Sequence, residues 1–414
     1  VYCSRLADGK YSVCEGFGNE QGNILFSPTE HIWHHGKCTY CGASRNQKEY
    51  NRNSEYETYA YPFIHTNQPE NFFPNMKFDI IVGNPPYQLN DGGFGASASP
   101  LYHKFIQQAK KLKPKYLTMI VPSRWFSGGK GLGTFRDEML NDNRIRKIVD
   151  YENATECFPG SVGKNIGSVC YFLWERDTTG LCEIVNSQNG IEISSIRPLN
   201  EFNTFVRHGR AISIIRKVLA KNEIKMNRQV SSRKPFGLQT TVRPQRTGDI
   251  TLRWQKGEGP YKRGDISVGT QMIDQWKVIT SYASYDHAGS PGKDGKRRIF
   301  SKIDILPPGT ICTETYLVIG SYNKESHAKN LSNYMKTKFF RFMVLQSMSS
   351  QHITKDVYSL VPMQNFEESW TDEKLYKKYS LTEEEIAFIE SMIRPMDAKT
   401  IEVSTSDDPL DEAA

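Results

Sequence analysis

Asn84-Pro85-Pro86-Tyr87 is the stretch of this chain best equipped for chemistry, and it follows the apolar run Phe78-Asp79-Ile80-Ile81-Val82-Gly83 directly. A short run of β-branched residues reads as a buried strand. The two prolines lack backbone N–H donors and hold φ near about −65°, so the turn is stiff. Asn84 precedes a proline and is pushed towards an extended backbone. The product is a rigid loop at the carboxyl end of a strand, the place where open α/β sheets bind ligands. It offers the Asn84 amide oxygen, the Pro85 carbonyl and the Tyr87 ring. The two oxygens can accept both hydrogens of an exocyclic amine on a flat heterocycle, while Tyr87 stacks on the ring. Accepting both hydrogens draws the nitrogen out of conjugation and frees its lone pair to attack a methyl group.

With this motif the sequence resembles the amino-methyltransferases that use S-adenosylmethionine (SAM), specifically the DNA adenine-N6 methyltransferases of bacterial restriction-modification systems. Their motif is Asn/Asp-Pro-Pro-Tyr/Phe/Trp, and Asn84 to Tyr87 fits it fully. The resemblance implies catalytic roles for Asn84, Pro85, Pro86 and Tyr87, and a flipped-out base held between Tyr87 and Phe158. It also implies SAM contacts from Gly83, Asn84 and Asn67, the last near a position where the family more usually carries Asp. The family's Gly-rich SAM motif, a strand followed by Phe-x-Gly-x-Gly, is not found upstream. Gly16-Phe17-Gly18 has no apolar strand leading into it. The expectation is that the first strands of the sheet are missing and belong to an absent N-terminal segment or a partner subunit.

A second constellation lies in His31-Ile32-Trp33-His34-His35-Gly36-Lys37-Cys38-Thr39-Tyr40-Cys41-Gly42. Cys-x-x-Cys followed by Gly is the tight knuckle that supplies two thiolates to one metal. His31 suits the third position and His65 or Cys14 the fourth, with Cys3, His34 and His35 as further candidates. Thiolate and imidazole together match a borderline-soft tetrahedral ion, so a structural Zn2+ is expected. Its rivals are a redox pair and two unligated thiols in a loop.

The elements that must position these groups follow from periodicity. Helical spacing is predicted over 101–113, with Leu101, Phe105, Ile106, Ala109 and Leu112 on one side, and again over 132–142. Strands are predicted over 115–121, 145–151 and 166–174, with a small hairpin within 177–200. Alternation of strand and helix is the doubly wound pattern. Together with the resemblance it predicts a class I SAM-methyltransferase (Rossmann-like) α/β sheet, incomplete on its N-terminal side, with a zinc-knuckle insertion and a mixed α+β recognition domain behind it. The domain boundaries expected are 1–66 for the knuckle module, 67–200 for the later half of the catalytic domain, 201–229 for a linker helix, 230–395 for DNA target recognition and 396–414 for a disordered acidic tail.

From Val230 onward basic residues and aromatics interleave, which fits contacts to a phosphate backbone and a groove. Arg233, Lys234, Arg243, Lys296, Arg297 and Arg298 are the candidate DNA contacts. In this span a strand is predicted over 311–319, one helix over 326–345, a strand over 357–362 and a closing helix over 383–393. Lys164 and Arg124 are candidates for reaching phosphates from the catalytic domain.

Composition sets the outer limits. The chain has 414 residues, 38% hydrophobic and 24% charged, which gives room for two domains and a small module. Its net charge of +7 permits a polyanionic partner, and the resemblance implies that this is double-stranded DNA. No apolar run approaches the roughly 20 residues that cross a bilayer, so no membrane is expected. Eight scattered cysteines with one close pair point to a reducing cytoplasm. Three other functions compete. One is a non-catalytic DNA-specificity subunit, one the methylating part of a fused restriction enzyme without a convincing nuclease cluster of its own, and one a protein glutamine methyltransferase.

Overall fold

In the computed structural model the described residues are 31–41, 61–73, 77–88, 100–127, 131–158, 167–188, 190–285, 292, 294–348 and 352–396. Cys3, Cys14, Gly16 to Gly18, Lys164 and the acidic tail from 397 lie outside them. The chain divides into two compact units, 1–203 and 204–414. Among the described residues no helix is long and apolar enough to cross a membrane.

The first unit is built on a mixed six-stranded sheet. Its strands are β3 (Ile80–Gly83), β4 (Tyr116–Pro122), β5 (Ile145–Tyr151), β6 (Val169–Glu175), β7 (Cys182–Gln188) and β8 (Ile191–Arg197), ordered β3-β4-β6-β5-β7-β8. β3 runs parallel to β4, and β5 parallel to β7, while β6 and β8 are antiparallel to their neighbours. Since β6 lies antiparallel between β4 and β5, the strands β3, β4 and β5 end on one side of the sheet. A two-residue hairpin, β1 (Trp33–His34) and β2 (Lys37–Cys38), and the single turn α1 (Tyr61–Ile64) precede the sheet. The crossovers use α2 (Tyr102–Lys111) and α3 (Gly133–Asn141). The helix and strand spacings of the sequence are recovered here with ends shifted by a few residues, and the 177–200 hairpin is β7–β8, docked onto the main sheet through β5.

One expectation is corrected. The strand before Asn84 is not buried: β3 is the edge strand among the described residues, and Ile80 and Val82 are 60% and 67% exposed. Its residues are apolar, but the structure supplies a neighbour on one side only.

Asp142 ties these crossovers together. Its carboxylate, 8% exposed, takes Lys110 Nζ of α2 at 2.8 Å, Arg144 Nε at 2.7 Å and Trp174 Nε1 of β6 at 2.9 Å. Burial would raise this carboxyl, but the Arg144 and Lys110 cations beside it hold it well below the usual carboxylate range. A lowered carboxyl stabilises the fold above its unfolded value near 3.8, and that contribution is lost as the pH falls below it. Asp142→Asn should cost about 2–3 kcal/mol at pH 7, because it leaves Lys110 and Arg144 without their counter-charge. Urea midpoints of parent and variant, measured from pH 7 downwards, should begin to draw together only as the pH falls below about 4.

The second unit opens on α4 (Ala211–Leu219) and carries two three-stranded sheets. One is β10 (Gly257–Tyr261), β9 (Ile250–Trp254) and β13 (Thr310–Cys312); the other is β12 (Ile303–Leu306), β11 (Trp276–Ser281) and β14 (Tyr316–Tyr322). Leu252, Ile279, Ile311 and Val318 belong to the core they share. The helices α5 (Glu325–Lys336), α6 (Lys338–Ser347), α7 (Asp372–Lys378) and α8 (Glu383–Met392) complete it.

Three segments differ from their periodicity. The strand predicted over 311–319 is two strands in different sheets. The helix predicted over 326–345 breaks at Thr337, whose extended backbone (ψ 149°) ends α5 while its hydroxyl caps α6 by accepting from Phe340 N. A capping side chain at that point offers the backbone an alternative to a continuous helix. The strand predicted over 357–362 is instead a 3-10 turn, Lys355–Tyr358, with Val357 and Tyr358 buried.

Candidate functional site

The Asn84–Tyr87 loop leaves the carboxyl end of β3. Asn84 is exposed, Pro85 buried, and Pro86 and Tyr87 half-buried, so the prolines seat the turn while the amide faces outward. The neck of the following loop is closed by Leu101 N donating to Tyr87 O at 3.0 Å and by a bridge between Gln88 and Pro100. Residues 89–99 are outside the described set. Helix α2 therefore begins at the point that holds the Tyr87 backbone.

The Tyr87 side chain runs inward to a buried end. Its hydroxyl is buried and has no hydrogen-bond partner among the described residues. Burial, with Cys170 and Cys157 near enough to add to it, pushes the phenol up to about 12. The ring is thus a neutral plate at ordinary pH, with no role as a base. Cys157 directly precedes Phe158, so the structure brings the Tyr87 phenol and the 157–158 segment to the same end of the sheet. Phe158 is half-buried, its N–H donating to Ala154 O at 2.8 Å. Gly83 is half-buried with the Met119 side chain against it, and Asn67 is exposed in the bend after α1. Arg124 is exposed at the carboxyl end of β4.

Sequence reasoning missed a buried polar line across this end of the sheet. Asp150 of β5 is fully buried; it accepts from Ser123 Oγ at 2.7 Å and from Asn186 Nδ2 at 3.4 Å. Next to it in register on β6 is Cys170, which accepts from Trp125 Nε1 at 3.4 Å. The available signal was the carboxylate closing the apolar run Ile148-Val149-Asp150, because a charge in a strand's buried register needs a partner.

A second constellation is assembled from separate segments. His31, Cys38, Cys41 and His65 each bring one ligand atom, all within 4.8 Å of one another. Both cysteines are buried, at 3% and 1% exposure. His31 Nδ1 lies 3.5 Å from Cys41 Sγ. Burial acts to raise the Cys38 thiol, but hydrogen bonds from the Cys41 backbone, His31 and the Tyr40 backbone outweigh it and lower the thiol. His34 and His35 are exposed at the hairpin tip and pack on each other, outside this group.

The candidate DNA contacts of the second unit are placed unequally. Arg233 and Lys234 both reach Glu314, at 3.1 and 3.8 Å, and Arg233 also lies over the Tyr282 ring. Exposed Arg243 lies over Trp254 at 4.5 Å, and half-buried Arg298 over Tyr285 at 4.6 Å. Lys296 is half-buried. Arg297 does not join them. It is 2% exposed, with its backbone paired to Met392 and Arg394, so its side chain serves the interior rather than a phosphate.

Residues 3–158 match the sequence model of the Eco57I restriction-modification methylase family. A protein of Mycoplasma pneumoniae (strain ATCC 29342 / M129), described as an uncharacterized adenine-specific methylase, is 36% identical over 202 residues, covering 43% of this chain and 47% of that protein. Among solved structures, the type IIG restriction endonuclease BpuSI is similar over 76% of this chain and 54% of its own, at TM-score 0.29 and 11% identity. The type IIL restriction-modification enzyme MmeI, solved in complex with DNA, is similar over 68% of this chain and 46% of its own, at TM-score 0.35 and 10% identity. At such scores the fold rests on its own strand register. The chain spans about half the length of the relatives it matches.

Proposed function

Since its residues 3–158 are related to the Eco57I restriction-modification methylases, we propose that this chain carries the catalytic loop of a DNA methyltransferase that passes a methyl group from SAM to N6 of adenine. The observation that carries this reading is the Asn84–Tyr87 loop itself. An outward-facing amide, a proline-stiffened turn and an aromatic plate with a buried hydroxyl stand together at the carboxyl end of a strand. The adenine is flipped out of the duplex, because its amine cannot be approached in line within the base stack. Asn84 Oδ1 and the Pro85 carbonyl accept the two amine hydrogens, and Tyr87 and Phe158 hold the ring.

SAM supplies an activated methyl group. Gly83, which places no side chain at the strand end, and exposed Asn84 are the residues present that fit one side of its site, and Asn67 is a further contact. With SAM bound, Asn84 and Pro85 would hold the amine so that its lone pair faces the activated methyl group, and the proton it gives up on transfer would pass to solvent. Positioning and prearranged hydrogen bonds carry the rate. The enzyme works in the cytoplasm, and its partner is double-stranded DNA, gripped by Arg233, Lys234, Arg243, Lys296 and Arg298.

The test is transfer of label from SAM to duplex DNA, with the product nucleoside identified, using this chain and the full-length gene product side by side. Labelled N6-methyladenine in either reaction is the expected result. Absence of label from both, with DNA bound, would favour a specificity subunit; label on a glutamine side chain would overturn the DNA reading.

A further inference from the structure

We infer that His31, Cys38, Cys41 and His65 bind one zinc ion, and that this ion fastens the β1–β2 hairpin to α1 and α2, and so to the neck of the Asn84–Tyr87 loop. A tetrahedral zinc with Zn–S near 2.3 Å and Zn–N near 2.0–2.1 Å keeps its ligand atoms roughly 3.3–3.8 Å apart. The 3.5 Å between Cys41 Sγ and His31 Nδ1 already has that spacing, and the whole set falls within 4.8 Å. Two sulfurs and two imidazole nitrogens are a donor set for a borderline-soft ion. Four protein ligands leave no open position, so the ion is structural.

The surroundings supply an independent reason. Two-residue strands cannot hold a hairpin, and the core beneath it is small: Cys38 and Cys41 pack with Ile64, Leu101 and Phe105. A module of this size is commonly completed by a metal. A redox Cys-x-x-Cys opens a helix, whereas Cys38 ends β2 and Cys41 follows in a turn.

The link to the loop runs through α2. Gln108 Nε2 donates to Phe63 O and Thr66 O, both at 2.7 Å, and these carbonyls bracket His65. Leu101 sits in the same small core and donates its N–H to Tyr87 O. Metal, α1, α2 and the Tyr87 backbone are therefore joined in one chain of contacts.

The test uses the full chain and no methylation readout, so it stands or falls apart from the methyl-transfer reading. Elemental analysis after dialysis into metal-free buffer should find about one zinc per chain. Cobalt exchanged for zinc should give the visible bands of a tetrahedral site and a sulfur-to-cobalt charge-transfer band. Cys38→Ser with Cys41→Ser should abolish that band. His65→Ala should weaken zinc at least about 10-fold in a chelator competition, while His34→Ala leaves it unchanged. Hydrogen exchange should quicken over 61–73 and 100–111 when zinc is stripped. A folded chain without zinc, or one whose metal survives loss of both cysteines or depends on His34, would overturn the site. Unchanged exchange on stripping would overturn the fastening role.

Discussion

Asn84→Ala should reduce methyl transfer by about 10²–10³-fold, while duplex affinity stays within about twofold of the parent. The size is that of losing one prearranged hydrogen-bond partner of the reacting group. The selectivity follows from position. Asn84 is exposed on a loop whose backbone is set by Pro85, Pro86 and the Leu101–Tyr87 bond, so truncating its side chain leaves the fold undisturbed. Tyr87 separates two further possibilities. Tyr87→Ala removes the stacking plate and should lose transfer to a similar degree. Tyr87→Phe keeps the plate and removes a hydroxyl that is buried without a hydrogen-bond partner among the described residues, so it should retain activity within a few fold. With the phenol pushed up to about 12, its ionisation leaves no limb in the pH–rate profile near neutrality. Single-turnover methylation and DNA-binding titrations on each variant check all of this. Equal losses of binding and transfer in Asn84→Ala would remove Asn84 from the reacting centre.

The second large effect is on stability. Arg341→Met should destabilise the second unit by about 2–4 kcal/mol, measured as a fall in its denaturant midpoint, because buried backbone carbonyls lose their donor. Arg341 is 0% exposed, and the hydrogen bonds of its guanidinium include four to backbone carbonyls. Nη2 donates to Lys336 O at 3.0 Å, at the end of α5, and Nε donates at 3.2 Å to Thr337 O, which also accepts the Arg341 backbone N–H. Nη1 donates to Arg394 O at 2.7 Å and Arg298 O at 3.4 Å, tying in the segment after α8 and the strip that carries Arg298. Methionine matches much of the volume but satisfies none of these acceptors. Lysine restores the charge without the fork and should recover only part of the loss.

Local chemistry was legible without coordinates. The Asn84–Tyr87 turn depends on proline stereochemistry and an amide within four consecutive residues. Strands and helices of the first unit follow from side-chain period, which each segment carries by itself. Half of the metal constellation, Cys38 and Cys41, is also local. The rest depends on what packs against what. His65 joined the cysteines because α1 folds back over the hairpin, whereas Cys14 was an equal candidate on composition. Neighbouring arginines read alike in sequence, yet Arg297 is buried and Arg298 half-buried, since their backbone runs as a bridge to Ile393 and alternates its sides. The apolar β3 run carries no mark of whether one neighbour or two will cover it, and Thr337 is an ordinary helix residue until its hydroxyl finds a backbone N–H. Short-range sterics belong to the sequence; burial, and hence which charges face water, belongs to the assembled unit.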